Sequence, residues 1–226
     1  MDSPLAPLTT SHSMYNMTPE RTEKFKNVAH KRQGNLTVIL ENVHDPHNIG
    51  AVLRTCDAIG IHEIFILYTE EKLTELNISK GGKSSSGARK WVTINHYTDV
   101  ERCFQDVRKK YQKIYATHLS TDASDLHDLD LTTSIALLFG NEHAGISEAS
   151  LELVDGNYII PQVGMVESLN ISVACAVSLY EAYRQRNAKG FYSENPTTSA
   201  EEKTQILEEY TSRHKKKPNN INPKRR

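Results

Sequence analysis

The sequence predicts an α/β fold built on a mostly parallel sheet, with one helix before it and one after. Short β-rich runs alternate with segments whose apolar residues recur every 3.6 positions, the pattern of strand and helix units packed in layers. Ile135 to Phe139 is apolar at every position, as a strand covered on both faces must be. Polar residues collect where an apolar run hands over to a helix, at Asn48 to Arg54 and at Glu167 to Ala174, and open α/β sheets bind ligands at such places.

Met1 to Met17 is polar and irregular and reads as disordered. Thr18 or Pro19 starts a basic helix that reaches residue 33, and Leu36 to Glu41 is the first strand. Asp45-Pro46 is a turn feeding the next helix, which Asn48 opens as a suitable cap for its free N–H groups. Ile49, Val52, Leu53, Cys56 and Ile59 mark the buried stripe of that helix until Gly60 stops it. Strands follow at Glu63 to Tyr68 and Trp91 to Ile94, a helix at Asp99 to Lys110, and strands at Lys113 to Thr117 and Ile135 to Phe139. A short helix over Ser147 to Val154 and a strand over Tyr158 to Ile160 precede a long helix from Ser168 to Arg186. Pro196 and the Thr-Thr-Ser run tether a last helix, Glu201 to Arg213.

A length of 226 residues with 38% apolar content fits one domain plus tails. No apolar run has the length of a membrane span and the N-terminus lacks the pattern of a signal peptide, so a soluble, cytoplasmic protein is expected. Cys56, Cys103 and Cys175 form no Cys-x-x-Cys pair and read as buried thiols. The net charge of −1 hides a segregation: residues 18 to 35 carry plus three, Thr211 to Arg226 plus seven, and residues 36 to 210 about minus ten. Basic ends suit a polyanion gripped from the periphery. A solvated helix face and a solubilising tail produce the same pattern.

Several motifs fail on their context. Gly82-Lys83-Ser84 copies the end of a phosphate-binding loop, but Asn77 stands where the first glycine belongs, and a loop and strand follow instead of a helix. His44, Asp45 and His47 lack the further ligands a metal needs, and no metal is expected. Neither a Gly-x-Gly-x-x-Gly after a strand nor a Gly-x-Ser-x-Gly elbow occurs.

Three loops at strand ends remain. In the first, Arg54 lies off the apolar stripe and shares the face of Gly50, where a missing side chain leaves room near the backbone. In the second, Phe139 to Gly145 places Gly140 where a tight turn and close ligand approach are possible, and Glu142 where it can accept from a ligand or orient Arg54. In the third, Ile160 to Glu167 is apolar for a loop and is expected to be buried, its backbone groups satisfied by a ligand ring. Ser168 then caps the long helix, and Asn170 sits in its first turn beside free N–H groups. Each loop also has a plain reading: helix capping for Asn48, Ser168 and Asn170, an ordinary surface arginine for Arg54, and a strand-to-helix turn for Gly140 to Gly145.

In this order the loops resemble the three motifs of the SPOUT superfamily of RNA methyltransferases, and within it the SpoU branch, which methylates ribose 2'-hydroxyls with S-adenosylmethionine. Arg21-Thr22-Glu23, Leu36 to His44, Lys90-Trp91-Val92, Tyr115-Ala116-Thr117 and Arg184-Gln185-Arg186 extend the likeness to the TrmH-type tRNA guanosine-18 2'-O-methyltransferases, from about Thr18 to about Tyr210. The resemblance implies a methyltransferase domain over 36–190 with a deep C-terminal trefoil knot, an exception to the rule of unknotted chains. A basic RNA-binding helix over 18–35 would precede it, and a helical extension over 191–214 and a disordered basic tail over 215–226 would follow.

The same resemblance implies that Thr117, Gly140, Ile160 and Leu169 hold S-adenosylmethionine, and that Arg21, Lys24, Lys31 and Arg32 hold tRNA. It implies a homodimer in which the long helix, apolar at Ile171, Ala174, Val177 and Leu179, meets a partner. Arg54, Asn48, Glu142, Ser168 and Asn170 would carry catalysis. A guanidinium, with a pKa above about 12, is a poor proton acceptor. Arg54 would therefore lose its proton on meeting a substrate phosphate or chiefly stabilise the developing alkoxide. A ribosomal-RNA ribose methyltransferase of the same family is the neighbouring reading, although those enzymes usually carry an extra N-terminal domain for which residues 1–35 leave no space. A non-catalytic RNA-binding member is the third reading.

Overall fold

Seven parallel strands form one sheet in a computed structural model that describes residues 17–70, 87–166 and 168–215. In chain order these are β1 (Leu36–Glu41), β2 (Glu63–Leu67), β3 (Thr93–Tyr97), β4 (Lys113–Thr117), β5 (Ser124–Asp125), β6 (Ile135–Phe139) and β7 (Gly156–Ile159), lying side by side as β3-β2-β1-β6-β4-β7-β5. Every pairing is parallel. The chain steps outward from β1 through β2 to β3, resumes on the other side of β1 with β4 and the edge strand β5, and returns to place β6 between β1 and β4 and β7 between β4 and β5, so the strand order reverses between β1 and β6. Ligand crevices of open parallel sheets lie at the carboxyl ends of strands beside such a reversal.

The chain divides into two compact units, residues 31–198 and the two ends, residues 1–30 with 199–226. In the first unit β1 is buried at every position, and its alternating side chains feed two core clusters. Val38 and Leu40 join Leu137, Phe139 and residues of helices α2 (Pro46–Ile59) and α5 (Ile171–Ala188). Ile39 joins Ala136, Leu138 and the Cys103, Phe104 and Val107 face of α3 (Val100–Arg108). A short helix, α4 (Glu148–Leu151), precedes β7. In the second unit, α1 (Pro19–Lys31) and α6 (Ala200–Lys215) meet through Phe25, whose ring lies 5.9 Å from those of both Tyr210 and His214.

Helix boundaries follow the caps, and two of the caps differ from expectation. Asp45, not Asn48, caps α2: its carboxylate accepts from His47 N at 2.8 Å, and Pro46 occupies the first helical position, where a missing N–H costs nothing. Gly60 ends that helix with φ +93, a left-handed conformation. Asn170, not Ser168, caps α5, accepting from Ser172 N at 2.9 Å. Ser199 and Glu202 cap α6 reciprocally, at 2.7 and 3.1 Å, which starts it at Ala200.

Strand β3 begins at Thr93 and not at Trp91, because Trp91 and Val92 donate back to Ala88 O and close a short helical turn over Ala88–Lys90. The two-residue edge strand β5 is too short and polar to stand out in the sequence. All three cysteines are buried. Among the described residues no helix is long and apolar enough to cross a membrane. Gly82-Lys83-Ser84, most of the N-terminal segment and nearly all of the basic tail lie outside the described residues.

Candidate functional site

The ends of β4, β6 and β7, with the approach to α5, enclose a cavity of about 730 Å³, inside the range of about 300–1,000 Å³ usual for small-molecule sites. Thr117, Gly140, Ile160 and Leu169 all line it, together with Glu142 and Ser168. The residue after β6 has to be glycine. A Cβ on Gly140 would stand 2.4 Å from the carbonyl of Gly145 and 2.5 Å from Ile146 N, inside any possible contact.

The turn is tied by a residue that the sequence reading passed over. Asn141 Oδ1 accepts from His143 N at 2.7 Å and Ala144 N at 2.9 Å, while its Nδ2 donates to Asn42 O at 2.7 Å. Asn42 itself holds φ +51, which asparagine tolerates better than most residues. Its side chain clasps Thr69, accepting from the backbone N at 2.9 Å and donating to Oγ1 at 2.8 Å. In the sequence Asn42 and Asn141 lie within two of the stretches singled out above, Leu36 to His44 and Phe139 to Gly145, where nothing in the local pattern marks them as partners.

One relay joins the three loops. Asn48 Nδ2 donates to Glu142 Oε1 at 2.6 Å, and Asn48 Oδ1 accepts from Asn170 Nδ2 at 3.2 Å. Asn170 Oδ1 in turn accepts from Ser172 N at 2.9 Å and Ser172 Oγ at 2.6 Å. Because Asp45 does the capping, the Asn48 amide is free to bridge a turn and a helix from elsewhere in the chain. Glu142 thus pairs with Asn48 and not with Arg54.

Arg54 is exposed and makes no hydrogen bond or ion pair with the described residues. Ser168 is exposed on the cavity wall. Arg21, Lys24 and Lys31 are exposed on α1. Arg32 corrects the sequence reading: it is fully buried, its guanidinium paired with Asp57 Oδ1 at 2.5 Å and bonded to Ile61 O at 2.8 Å, so its charge faces the interior and cannot meet a phosphate. His44, Asp45 and His47 do not converge, since His44 pairs with Glu70 at 3.3 Å while Asp45 caps α2. The loop after β7 also departs from expectation. Pro161 to Val166 is exposed, Val163 and Met165 almost fully, because no other part of the described chain packs over it. Ile171 and Leu179 are buried within the chain's own core, and the apolar ridge that α5 shows to solvent is Val173, Val177, Tyr180 and Tyr183.

A parallel sheet with a cofactor-sized cavity at its strand ends, and an amide relay tying three loops together there, defines the class: an α/β protein with a small-molecule site at a reversal of strand order. The chain belongs to the SpoU rRNA Methylase family, which matches residues 35–180. It is 42% identical over 179 residues to the Thermus thermophilus tRNA (guanosine(18)-2'-O)-methyltransferase, covering 79% of this chain and 90% of that one. The crystal structure of the A. aeolicus TrmH/SpoU tRNA modifying enzyme superposes with a TM-score of 0.75 at 34% identity, covering 86% of this chain and 96% of that one. An AdoMet-bound rRNA methyltransferase from Sinorhizobium meliloti superposes with a TM-score of 0.60 at 28% identity, covering 70% of this chain and 59% of that one.

Proposed function

We propose that this chain methylates the ribose 2'-hydroxyl of a guanosine in the tRNA D-loop, at position 18, with S-adenosylmethionine as donor. The observation that carries the reading is the Glu142–Asn48–Asn170 relay, which ties the first motif loop to the two others, both of which line one cavity. The cavity suits the cofactor in size, and Gly140 lets a ligand approach bare backbone. Thr117, Gly140, Ile160 and Leu169 would hold it. When bound, the cofactor supplies an electrophilic methyl group on a sulfonium centre.

The chain's own residues have to align the ribose oxygen and manage its proton. Asn48, with both ends of its amide engaged, holds Glu142 and the start of α5 in fixed relation. Arg54, with no carboxylate partner among the described residues, keeps its charge for the substrate, where it orients the ribose and stabilises the developing alkoxide. Ser168 and Asn170 complete the rim on the α5 side. Arg21, Lys24 and Lys31 contact tRNA phosphates.

A homodimer belongs to the same reading, with the exposed Val173, Val177, Tyr180 and Tyr183 ridge covered by a second copy. A trefoil crossing of the C-terminal segment and a cytoplasmic site of action belong to it as well. The choice of tRNA over ribosomal RNA is supported by the degree of likeness: the A. aeolicus tRNA modifying enzyme superposes with a TM-score of 0.75 at 34% identity, the Sinorhizobium rRNA enzyme with 0.60 at 28%. The test is methyl transfer to unmodified tRNA transcripts, expected with guanosine at position 18 and abolished by 2'-deoxyguanosine there. Transfer to a ribosomal-RNA fragment and not to tRNA would select the neighbouring reading, and binding without any transfer would refute the enzyme.

A further inference from the structure

Glu41 ends β1 and is fully buried. Its Oε1 accepts from Ser147 Oγ at 2.6 Å and Ser150 Oγ at 3.0 Å, and its Oε2 from Ser147 N at 3.3 Å. None of the ion pairs among the described residues involves it. Burying a carboxylate without a cation is costly even when it is hydrogen-bonded, and an apolar residue at a strand end would pack without that cost. What distinguishes the site is where its donors come from. All three lie in Ser147–Ser150, directly after the cavity-lining turn.

Asn42, the next residue, takes the other end of the same turn through Asn141. Between the two anchors the turn is closed on itself, with Gly140 packed against the Gly145 and Ile146 backbone, so it moves as one piece. Gly140, Glu142, Gly145 and Ile146 all line the cavity. We propose that Glu41 is a positioning residue for cofactor binding, bracketing the turn together with Asn42 and so setting the width of the cavity. The inference rests on the proposed use of that cavity for S-adenosylmethionine.

The test compares the full chain with Glu41→Gln, Ser150→Ala and, as a control, Val107→Ala, a buried residue of the α3 core. Calorimetry with S-adenosylmethionine, turnover at saturating cofactor and thermal melting are measured for each. Glu41→Gln turns one acceptor into a donor facing Ser147, and the dissociation constant should rise about tenfold, a larger factor than any loss of turnover at saturating cofactor. Ser150→Ala removes one bond, should raise the dissociation constant about threefold, and carries the test if the first variant does not fold. Val107→Ala should lower the melting temperature and leave affinity unchanged. Unchanged affinity in both Glu41→Gln and Ser150→Ala, or an affinity loss in Val107→Ala that tracks its melting temperature, overturns the positioning role. Failure of the parent chain to bind S-adenosylmethionine defeats the functional reading itself.

Discussion

Glu142 accepts a hydrogen bond from Asn48 at 2.6 Å across 94 residues of sequence, and the other end of the same amide accepts from Asn170 at 3.2 Å. One side chain therefore sets the distance between the turn after β6 and the start of α5. Asn48→Ala and Glu142→Ala should each lower kcat/KM, and the double variant should lose less than the sum. Residues in one network couple by about 0.5–3 kcal/mol. A double-mutant cycle on methyl transfer measures that term, and strict additivity would mean that the bond does no work in the reaction.

Arg54→Ala should leave cofactor affinity as in the parent, because Arg54 does not line the cavity. Turnover should fall by about a hundred- to a thousandfold, the usual effect of removing one donor from a developing oxyanion. Calorimetry with S-adenosylmethionine beside single-turnover kinetics separates the two quantities. A loss of cofactor affinity in place of turnover would reassign the residue.

Gly140→Ala places a methyl group where the Gly145 and Ile146 backbone already stands. The turn has to open, which should cost about 1–3 kcal/mol of stability, as overpacking commonly does. Cofactor binding should weaken with it. Thermal melting with and without S-adenosylmethionine reads both effects, and a variant with the parent's melting temperature and ligand-induced shift would contradict the contact.

Glu181 should make stability sensitive to acid. The Arg184 guanidinium bonds both of its oxygens, at 2.7 and 2.9 Å, and with help from Gln185 and His127 holds its carboxyl well below the ordinary 4.5, at about 2. A lowered carboxylate pKa stabilises the fold above the unfolded value and loses that contribution as pH falls through the folded one. The melting temperature of Glu181→Gln should therefore lie below the parent's at pH 7, and the gap should close between pH 4.5 and about 2. The effect is modest, because Arg184 is largely exposed. A gap that does not change with pH would argue against the pairing.

The strands and helices were legible because hydrophobic period is a local property. Leu36–Glu41, Lys113–Thr117 and Ile135–Phe139 have the boundaries that their apolar runs predict. The caps were not, because capping is a competition among neighbouring polar residues. Asp45 precedes Pro46 and captures His47 N, displacing Asn48, and Asn170 displaces Ser168 in the same way. Arg32 looked like a surface cation until the fold placed Asp57 beside it, 25 residues further along the chain.

Period, apolar length and turn chemistry are written in consecutive residues, so the class of fold, the sheet-forming runs and the three strand-end loops can be read from them directly. The relay of Asn48, Glu142 and Asn170, the anchoring of the Gly140 turn by Glu41 and Asn42, and the inward side chain of Arg32 come from the folded chain alone. A hydrogen bond a few ångströms long between residues roughly a hundred positions apart depends on strand order and register. Those emerge only when β1 and β6 lie side by side.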